Sequence, residues 1–236
     1  MKRLAISLLV LGFTVGLAPV AWAALIPITA VDGTWSNAVP AGVIIDNSVN
    51  PRTARWGTPP LGGNQSGYNW SSSATPFNAD SSGTPFSLGT FDHLNFPIGA
   101  PVLQSIQLDF SMTIDALAPL NGAFSFTHNE TPNATPCNPP GITPCPDVVT
   151  VASPFLNTPF NYSGTDYFFS LLGFSQDSGT TIKTQFVTEE GLQNTAQLYA
   201  VITETPISIP EPASLLLLGS GLAALGSFAW SRKRLK

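Results

Sequence analysis

The sequence predicts an all-β fold, an antiparallel β-sandwich of jelly-roll type, placed between two apolar chain ends. Between residues 24 and 204 the chain is rich in Gly, Pro, Ser, Thr, Asn and Phe and poor in Lys, Glu and Arg. This composition disfavours helices and favours strands joined by turns. Several short segments also alternate apolar and polar residues, as half-buried strands do. We therefore predict one ectodomain over 24–204, with an extended linker at 205–209.

The clearest strand is SIQLDFSMTID, residues 105–115. Every second residue is apolar, and the residues between them are polar, which places the two sets on opposite faces of a sheet. The face predicted to be buried consists of Ile106, Leu108, Phe110, Met112 and Ile114.

Weaker strand patterns follow along the chain. The predicted segments are Phe124–Phe126, Val149–Val151, DYFFSLLGF at 166–174, Ile182–Val187 and Ala196–Thr203. Asn121-Gly122 and Ser178-Gly179 are typical turn pairs and are predicted to separate strands. The first third, up to about Gly89, reads as loop-rich.

The N-terminus has the pattern of a signal peptide. Lys2 and Arg3 precede an apolar run, and Ala21-Trp22-Ala23 has the small-x-small form of a signal peptidase site. Residues 1–23 are therefore predicted to be removed on export.

The C-terminus has the pattern of a membrane anchor. Residues 213–230 carry no charge, and as a helix they would span roughly 27 Å, close to a hydrocarbon core of about 30 Å. A basic tail follows at 231–236, and basic residues stay on the cytoplasmic side. We predict a single transmembrane helix over 213–230 that holds the ectodomain outside.

The region between the termini is strongly acidic. Residues 24–209 contain three basic and thirteen acidic side chains, a net charge of −10. This charge argues against nucleic acid or anionic lipid as a partner.

Pro210, Glu211 and Pro212 stand directly before the apolar run. The two prolines keep the carboxylate on extended backbone, a form that a processing enzyme can read. Pro-Glu-Pro, an apolar helix and an Arg-rich end together resemble the PEP-CTERM sorting signal of Gram-negative bacteria. The resemblance implies processing by an inner-membrane exosortase and an association with exopolysaccharide and biofilm.

The ectodomain resembles the THxN family of PEP-CTERM proteins. The likeness lies in DGTWSN, in ARWG with Arg55 and Trp56, and in FSLGTFDHLNFPI, where Asp92, His93 and Asn95 occupy the motif with Asp in place of Thr. A related string, FTHNETPN, carries His128. The resemblance implies a structural or binding role for these residues.

Candidate functional residues are few. Cys137 and Cys145 are predicted to form a local disulfide in an exported chain. No nucleophile elbow precedes the anchor, so we predict no enzyme and no catalytic residue. We predict neither a metal nor another cofactor, and the alternative is a site made by the two histidines with Asp92 or Glu130.

Arg55 has two interpretations. It forms an ion pair with an acid such as Asp92, or it belongs to a sugar platform on which an aromatic ring stacks against a pyranose. The aromatic residues available for such contact are Trp35, Trp56, Tyr68 and Trp70.

The sequence therefore predicts a non-enzymatic, exported structural protein of the envelope or extracellular matrix. Signal peptidase and exosortase process it, and it lies in the inner membrane, with the ectodomain in the periplasm, before sorting. The alternative is a carbohydrate-binding module for the exopolysaccharide.

Overall fold

A computed structural model describes residues 23–131, 145–153 and 157–207. Alternating apolar residues and turn-rich connections build strands throughout this part of the chain, and no helix in it is long and apolar enough to cross a membrane. The strands are β1 (Leu25–Val39), β2 (Ile44–Asp46), β3 (Arg52–Trp56), β4 (Ser66–Ser72), β5 (Phe77–Asp80), β6 (Phe86–Asn95), β7 (Ser105–Ile114), β8 (Leu120–Asn129), β9 (Asp147–Ser153), β10 (Thr158–Tyr162), β11 (Thr165–Ser175), β12 (Gln185–Thr188) and β13 (Leu192–Thr203).

The strands form two antiparallel sheets. The first has the order β12-β9-β8-β7-β1-β5, and the second has the order β10-β11-β13-β6-β4-β3-β2. The prediction of an all-β antiparallel fold is confirmed. Each sheet contains a meander of three consecutive strands, β7-β8-β9 and β2-β3-β4, a feature that the jelly-roll expectation does not include.

Aromatic rings from the two sheets meet in the core. Phe110 of β7 stacks on Phe169 of β11 with ring centroids 5.5 Å apart, and Phe91 of β6 lies 5.3 Å from Phe126 of β8. All four rings are buried. Since these contacts join one sheet to the other, they hold the two layers face to face.

The predicted β7 is confirmed, because its five apolar residues are all buried. Two other expectations are wrong. Asn121-Gly122 lies inside β8, where these residues pair with Ser111 and Phe110 of β7, instead of forming a turn. The first third of the ectodomain is not loop-rich, since it contains β1 to β5 and the start of β6.

The predicted signal sequence, transmembrane helix, sorting motif and Cys137 lie outside the described residues. Cys145 lies inside them and is fully buried. The Cys137–Cys145 disulfide stays a prediction.

Candidate functional site

Each sheet contributes one histidine to a cluster in the buried interior. His93 points inward near the end of β6, and His128 points inward near the end of β8. Their rings lie 5.0 Å apart at an angle of 90°. Asp147, the first residue of β9, joins them: one ligand atom from each of the three residues lies within 4.8 Å of the other two. All three side chains are buried.

Hydroxyl groups hold both imidazole rings. His128 Nδ1 lies 2.6 Å from Tyr68 Oη, and His93 Nδ1 lies 2.8 Å from Thr188 Oγ1. Thr188 Oγ1 also donates a hydrogen bond to the Asp147 backbone oxygen at 3.3 Å. Trp56 stacks on His93 with ring centroids 5.9 Å apart. The two rings therefore have fixed positions and orientations.

Asp147 is held through one carboxylate oxygen and leaves the other facing the cluster. Oδ1 accepts hydrogen bonds from Thr131 N at 2.8 Å and Thr131 Oγ1 at 3.2 Å. Oδ2 has no hydrogen bond and lies 3.7 Å from His128 Nε2. His128 Nε2 is also 3.2 Å from Glu130 Oε2.

Further buried polar atoms near this cluster have no hydrogen-bond partner in the described part of the chain. They include His93 Nε2, Trp56 Nε1, Asn95 Oδ1 and both carboxylate oxygens of Glu190. Buried polar groups are almost always satisfied in folded proteins, so several orphans in one place mark an unusual site.

The acids at this site resist ionisation. Burial raises the pKa of Asp147 to about 6, although the Thr131 amide opposes the shift. Burial, together with the negative charges of Asp147 and Glu130, raises the pKa of Glu190 to about 7. The cause in both cases is loss of hydration without an equal gain of positive charge.

The same buried environment keeps the side chains of His93 and Tyr68 uncharged. Burial, reinforced by the nearby His128, keeps the pKa of His93 well below its usual value. Burial and the charges of Asp147 and Glu130 raise the pKa of Tyr68 well above its usual range. His93 is therefore an uncharged imidazole and Tyr68 a protonated phenol at neutral pH.

The residues predicted from the Asp92-His93-Leu94-Asn95 motif separate onto two faces of β6. His93 and Asn95 are fully buried, and Asn95 Nδ2 donates to Thr188 O at 3.1 Å. Asp92 lies on the opposite face, where it accepts a hydrogen bond from Thr195 Oγ1 at 2.7 Å. Only the buried half of the motif reaches the cluster.

Arg55 does not form the expected ion pair with Asp92. Its guanidinium donates to Tyr68 O at 2.8 Å and to Asn69 Oδ1 at 2.6 Å. The arginine that pairs with an acid in the described residues is Arg52, whose Nη2 lies 2.7 Å from Asp32 Oδ1.

The structure contradicts the predicted sugar platform. Its four aromatic side chains are almost completely buried, so none of them offers an exposed face to a pyranose. Trp35, Trp56, Tyr68 and Trp70 are each 2% exposed or less. Trp56 and Tyr68 instead pack around the two histidines.

Sequence reasoning missed Asp147, Thr188 and Glu190. No local motif surrounds these residues. Asp147 meets His128 through the pairing of β9 with β8, and Thr188 meets His93 through the packing of one sheet on the other. The one available signal was that His93 and His128 are the only histidines of the chain and both stand at inward positions of alternating strands.

The tail identifies the class of protein. Residues 208–234 match the PEP-CTERM protein-sorting motif. The chain therefore carries the signal of exported proteins that an exosortase sorts from a membrane-anchored state toward the envelope. A comparison with curated protein sequences gave no significant match. The likeness of the ectodomain to the THxN family stays a prediction, because the match covers the tail alone.

Proposed function

We propose that the protein is a non-catalytic structural component of the cell envelope or extracellular matrix. The observation that carries this proposal is the sorting motif at 208–234, placed directly after an all-β domain. Exosortase processing then delivers the domain to the outer envelope or the exopolysaccharide. Before sorting, the ectodomain lies in the periplasm.

The shape of the domain supports a structural role over an enzymatic one. Two grooves flank the 175–181 loop, each with a volume of about 200 Å³. Substrate and ligand pockets usually measure about 300–1,000 Å³. Among the described residues, neither groove has His93, His128 or Asp147 in its lining.

Carbohydrate binding is the second candidate function. The two grooves beside the 175–181 loop are where a sugar would bind. Their linings include Gln176, Gln185 and Gln197, whose amides can bond sugar hydroxyls. The aromatic platform that such modules use is absent from these linings, where Phe174 and Phe186 are buried.

Deleting the gene in a bacterium that carries the cognate exosortase tests the proposal. We expect the natural protein in the envelope or matrix fraction, and we expect the deletion strain to form a weaker matrix from unchanged polysaccharide. A change in polysaccharide chain length would indicate an enzyme. Direct binding of the purified full chain to the isolated polysaccharide, lost in Gln197→Ala, would favour the second candidate.

A further inference from the structure

The hydrogen bonds of His93 leave one ring nitrogen free to act as a ligand. Thr188 Oγ1 donates its one proton to the Asp147 carbonyl oxygen. It must therefore act as the acceptor in its contact with His93, and His93 Nδ1–H is the donor. The assignment follows from the hydrogen-bond network. Nε2 is then unprotonated, fully buried and without a partner among the described residues. A histidine held by its other ring nitrogen in this way is the usual arrangement at a metal.

His128 Nε2 and Asp147 Oδ2 face the same point from the other sheet. They lie 3.7 Å apart, a separation close to the ~3.4 Å between neighbouring donors in a tetrahedral site with bonds of about 2.1 Å. His128 Nε2 also lies 3.2 Å from Glu130 Oε2, so an ion at Nε2 replaces that hydrogen bond. The proton of the ring then sits on Nδ1, which donates to Tyr68 Oη at 2.6 Å. The Thr131 hydrogen bonds to Oδ1 keep Oδ2 directed inward.

The charge at this place is unbalanced. Three carboxylates gather here, those of Glu130, Asp147 and Glu190, and in the described part of the chain their ion pairs come from His128 alone. Buried carboxylates are costly unless cations neutralise them. The domain has few cations to offer, since Arg52 pairs with Asp32 and Arg55 with neutral oxygens.

We propose that His93 Nε2, His128 Nε2 and Asp147 Oδ2 bind one divalent transition-metal ion of the zinc type. Two imidazoles and a carboxylate suit Zn²⁺ better than Ca²⁺ or Mg²⁺, which prefer oxygen ligands throughout. One ligand atom from each of the three residues lies within 4.8 Å of the other two, so these atoms move closer together when they bind one ion.

The ion is structural. Its ligands are buried and belong to both layers, with His93 on β6 of one sheet and His128 and Asp147 on β8 and β9 of the other. The ion cross-links the sheets at this end of the domain, so its removal should loosen the packing of one layer on the other.

Zinc titration of the full chain tests the proposal. The protein is purified in detergent without a histidine tag, stripped of metal with a chelator, and titrated with ZnCl₂ by calorimetry. We expect one zinc ion per chain and a melting temperature that rises with zinc concentration, because the ion binds the folded state. Asp147→Asn keeps the shape of the side chain and should abolish both effects.

Two further variants keep the test decisive if Asp147→Asn does not fold. Thr188→Val keeps all three ligands and removes the hydroxyl that orients His93 and bonds the Asp147 carbonyl. We expect about 10–100-fold weaker zinc binding, as for other groups that position ligands. Asp92→Asn removes a carboxylate from the outer face of β6, next to His93, and should bind zinc like the natural chain. If the natural chain takes up no zinc, or if Thr188→Val binds zinc as tightly as Asp92→Asn, the proposal is wrong and the cluster is a proton-sharing network.

Discussion

Trp70 fills the core where two glycines leave room for its indole ring. A Cβ atom on Gly33 of β1 would lie 2.7 Å from Trp70 Nε1, and one on Gly89 of β6 would lie 2.7 Å from Trp70 Cη2. These contacts are shorter than real Cβ atoms tolerate. Gly33 and Gly89 therefore provide the space that the indole ring of Trp70 occupies.

Replacing Trp70 with alanine should destabilise the fold and leave no specific binding defect. A Trp→Ala change in a packed core typically costs 3–5 kcal/mol, so we expect a loss of about this size in the free energy of unfolding measured in urea. Leu61→Ala, at a fully exposed position, should change it by less than about 0.5 kcal/mol. A Trp70→Ala protein with normal stability but lost polysaccharide binding would restore the sugar-platform interpretation.

Asp177 organises the turn between β11 and β12 through its charge. Its Oδ1 accepts hydrogen bonds from Thr181 N at 2.8 Å and Ser175 Oγ at 2.7 Å. These bonds, the Thr181 amide first, lower its pKa to about 2. Because the folded pKa is below the unfolded value of 3.8, the stabilisation is complete above pH 3.8 and disappears as the pH falls to about 2.

Asp177→Asn should therefore lower the melting temperature at neutral pH but not near pH 2. The measurement is a series of thermal melts of both proteins between pH 7 and pH 2. The difference between them should shrink across the window from pH 3.8 to about 2. Asp109→Asn, on the exposed face of β7, is the matched control for loss of one charge. A difference that persists unchanged at the lowest pH would contradict the role assigned to the Asp177 carboxylate.

The strands at the sheet edges are short. β2 has three residues, β5 and β12 have four each, and β10 has five, whereas β1 at the interior has fifteen. Short edges give neighbouring molecules little backbone to pair with. We infer that association in a matrix would use surfaces other than the open sheet edges.

A bulge in β11 depends on a single glycine. The register between β11 and β13 shifts between Leu171 and Gly173, and Gly173 has φ = +138°. A Cβ there would lie 2.3 Å from the Lys183 backbone oxygen. Neither the backbone conformation nor the space suits another residue.

Gly173→Ala should therefore destabilise the fold by about 3 kcal/mol or more, since clash and strain add. Gly164→Ala is the control, because Gly164 also has a positive φ but no atom within 4 Å of the added Cβ. It should lose about 1 kcal/mol, from strain alone. Equal losses in the two variants, by chemical denaturation, would show that contact with Lys183 is unimportant.

Local alternation was sufficient to predict β7 but not β1. The regular pattern from Ile106 to Ile114 survives in the structure, whereas register shifts near Ile28 and Ser36 interrupt the alternation of β1. The pairing partners of β1 are β5 and β7, which follow far along the chain, so no local signal marks them. For the same reason the Asn121-Gly122 pair was misread, because its pairing with β7 overrides its turn preference.

The candidate site shows the same limit. Both histidines are visible in the sequence, and Glu130, one of the two carboxylates expected beside them, lies 3.2 Å from His128 Nε2. The other, Asp92, does not reach them, and Asp147 is not among the expected residues. The outward orientation of Asp92 follows from the period of the strand, since it alternates with the inward Phe91 and His93. The approach of Asp147 depends on how β9 pairs with β8 and on how the sheets pack, which no short pattern encodes.

Across the whole molecule the charges are segregated. Residues 24–209 carry a net charge of −10, while four of the nine basic residues of the chain lie in the last five positions. A basic end resists translocation and an acidic exported domain does not. The charge pattern therefore agrees with the direction that the sorting motif implies, with the domain outside the membrane.

Insertion and sorting should depend on different parts of the tail. The apolar run at 213–230 should be sufficient for retention in the membrane, because it has no charge and, as a helix, would have nearly the length of the hydrocarbon core. Glu211 adds nothing to that retention. Its position between two prolines, which favour extended backbone, should instead present the carboxylate to a processing enzyme.

Glu211→Ala should therefore leave membrane insertion intact and stop processing. In a host with the cognate exosortase, the uncut variant should accumulate in the inner membrane, and intact-mass analysis should show that it keeps the C-terminal segment that the natural protein loses. Deleting the basic residues 232–236 is the contrasting variant, since it should weaken the orientation of the helix before any cut is made. In a host without an exosortase the natural protein should stay uncut as well, which separates failed recognition from failed export. If the Glu211→Ala protein is cut and released like the natural one, the carboxylate serves only the start of a helix, where it would interact with the positive end of the helix dipole.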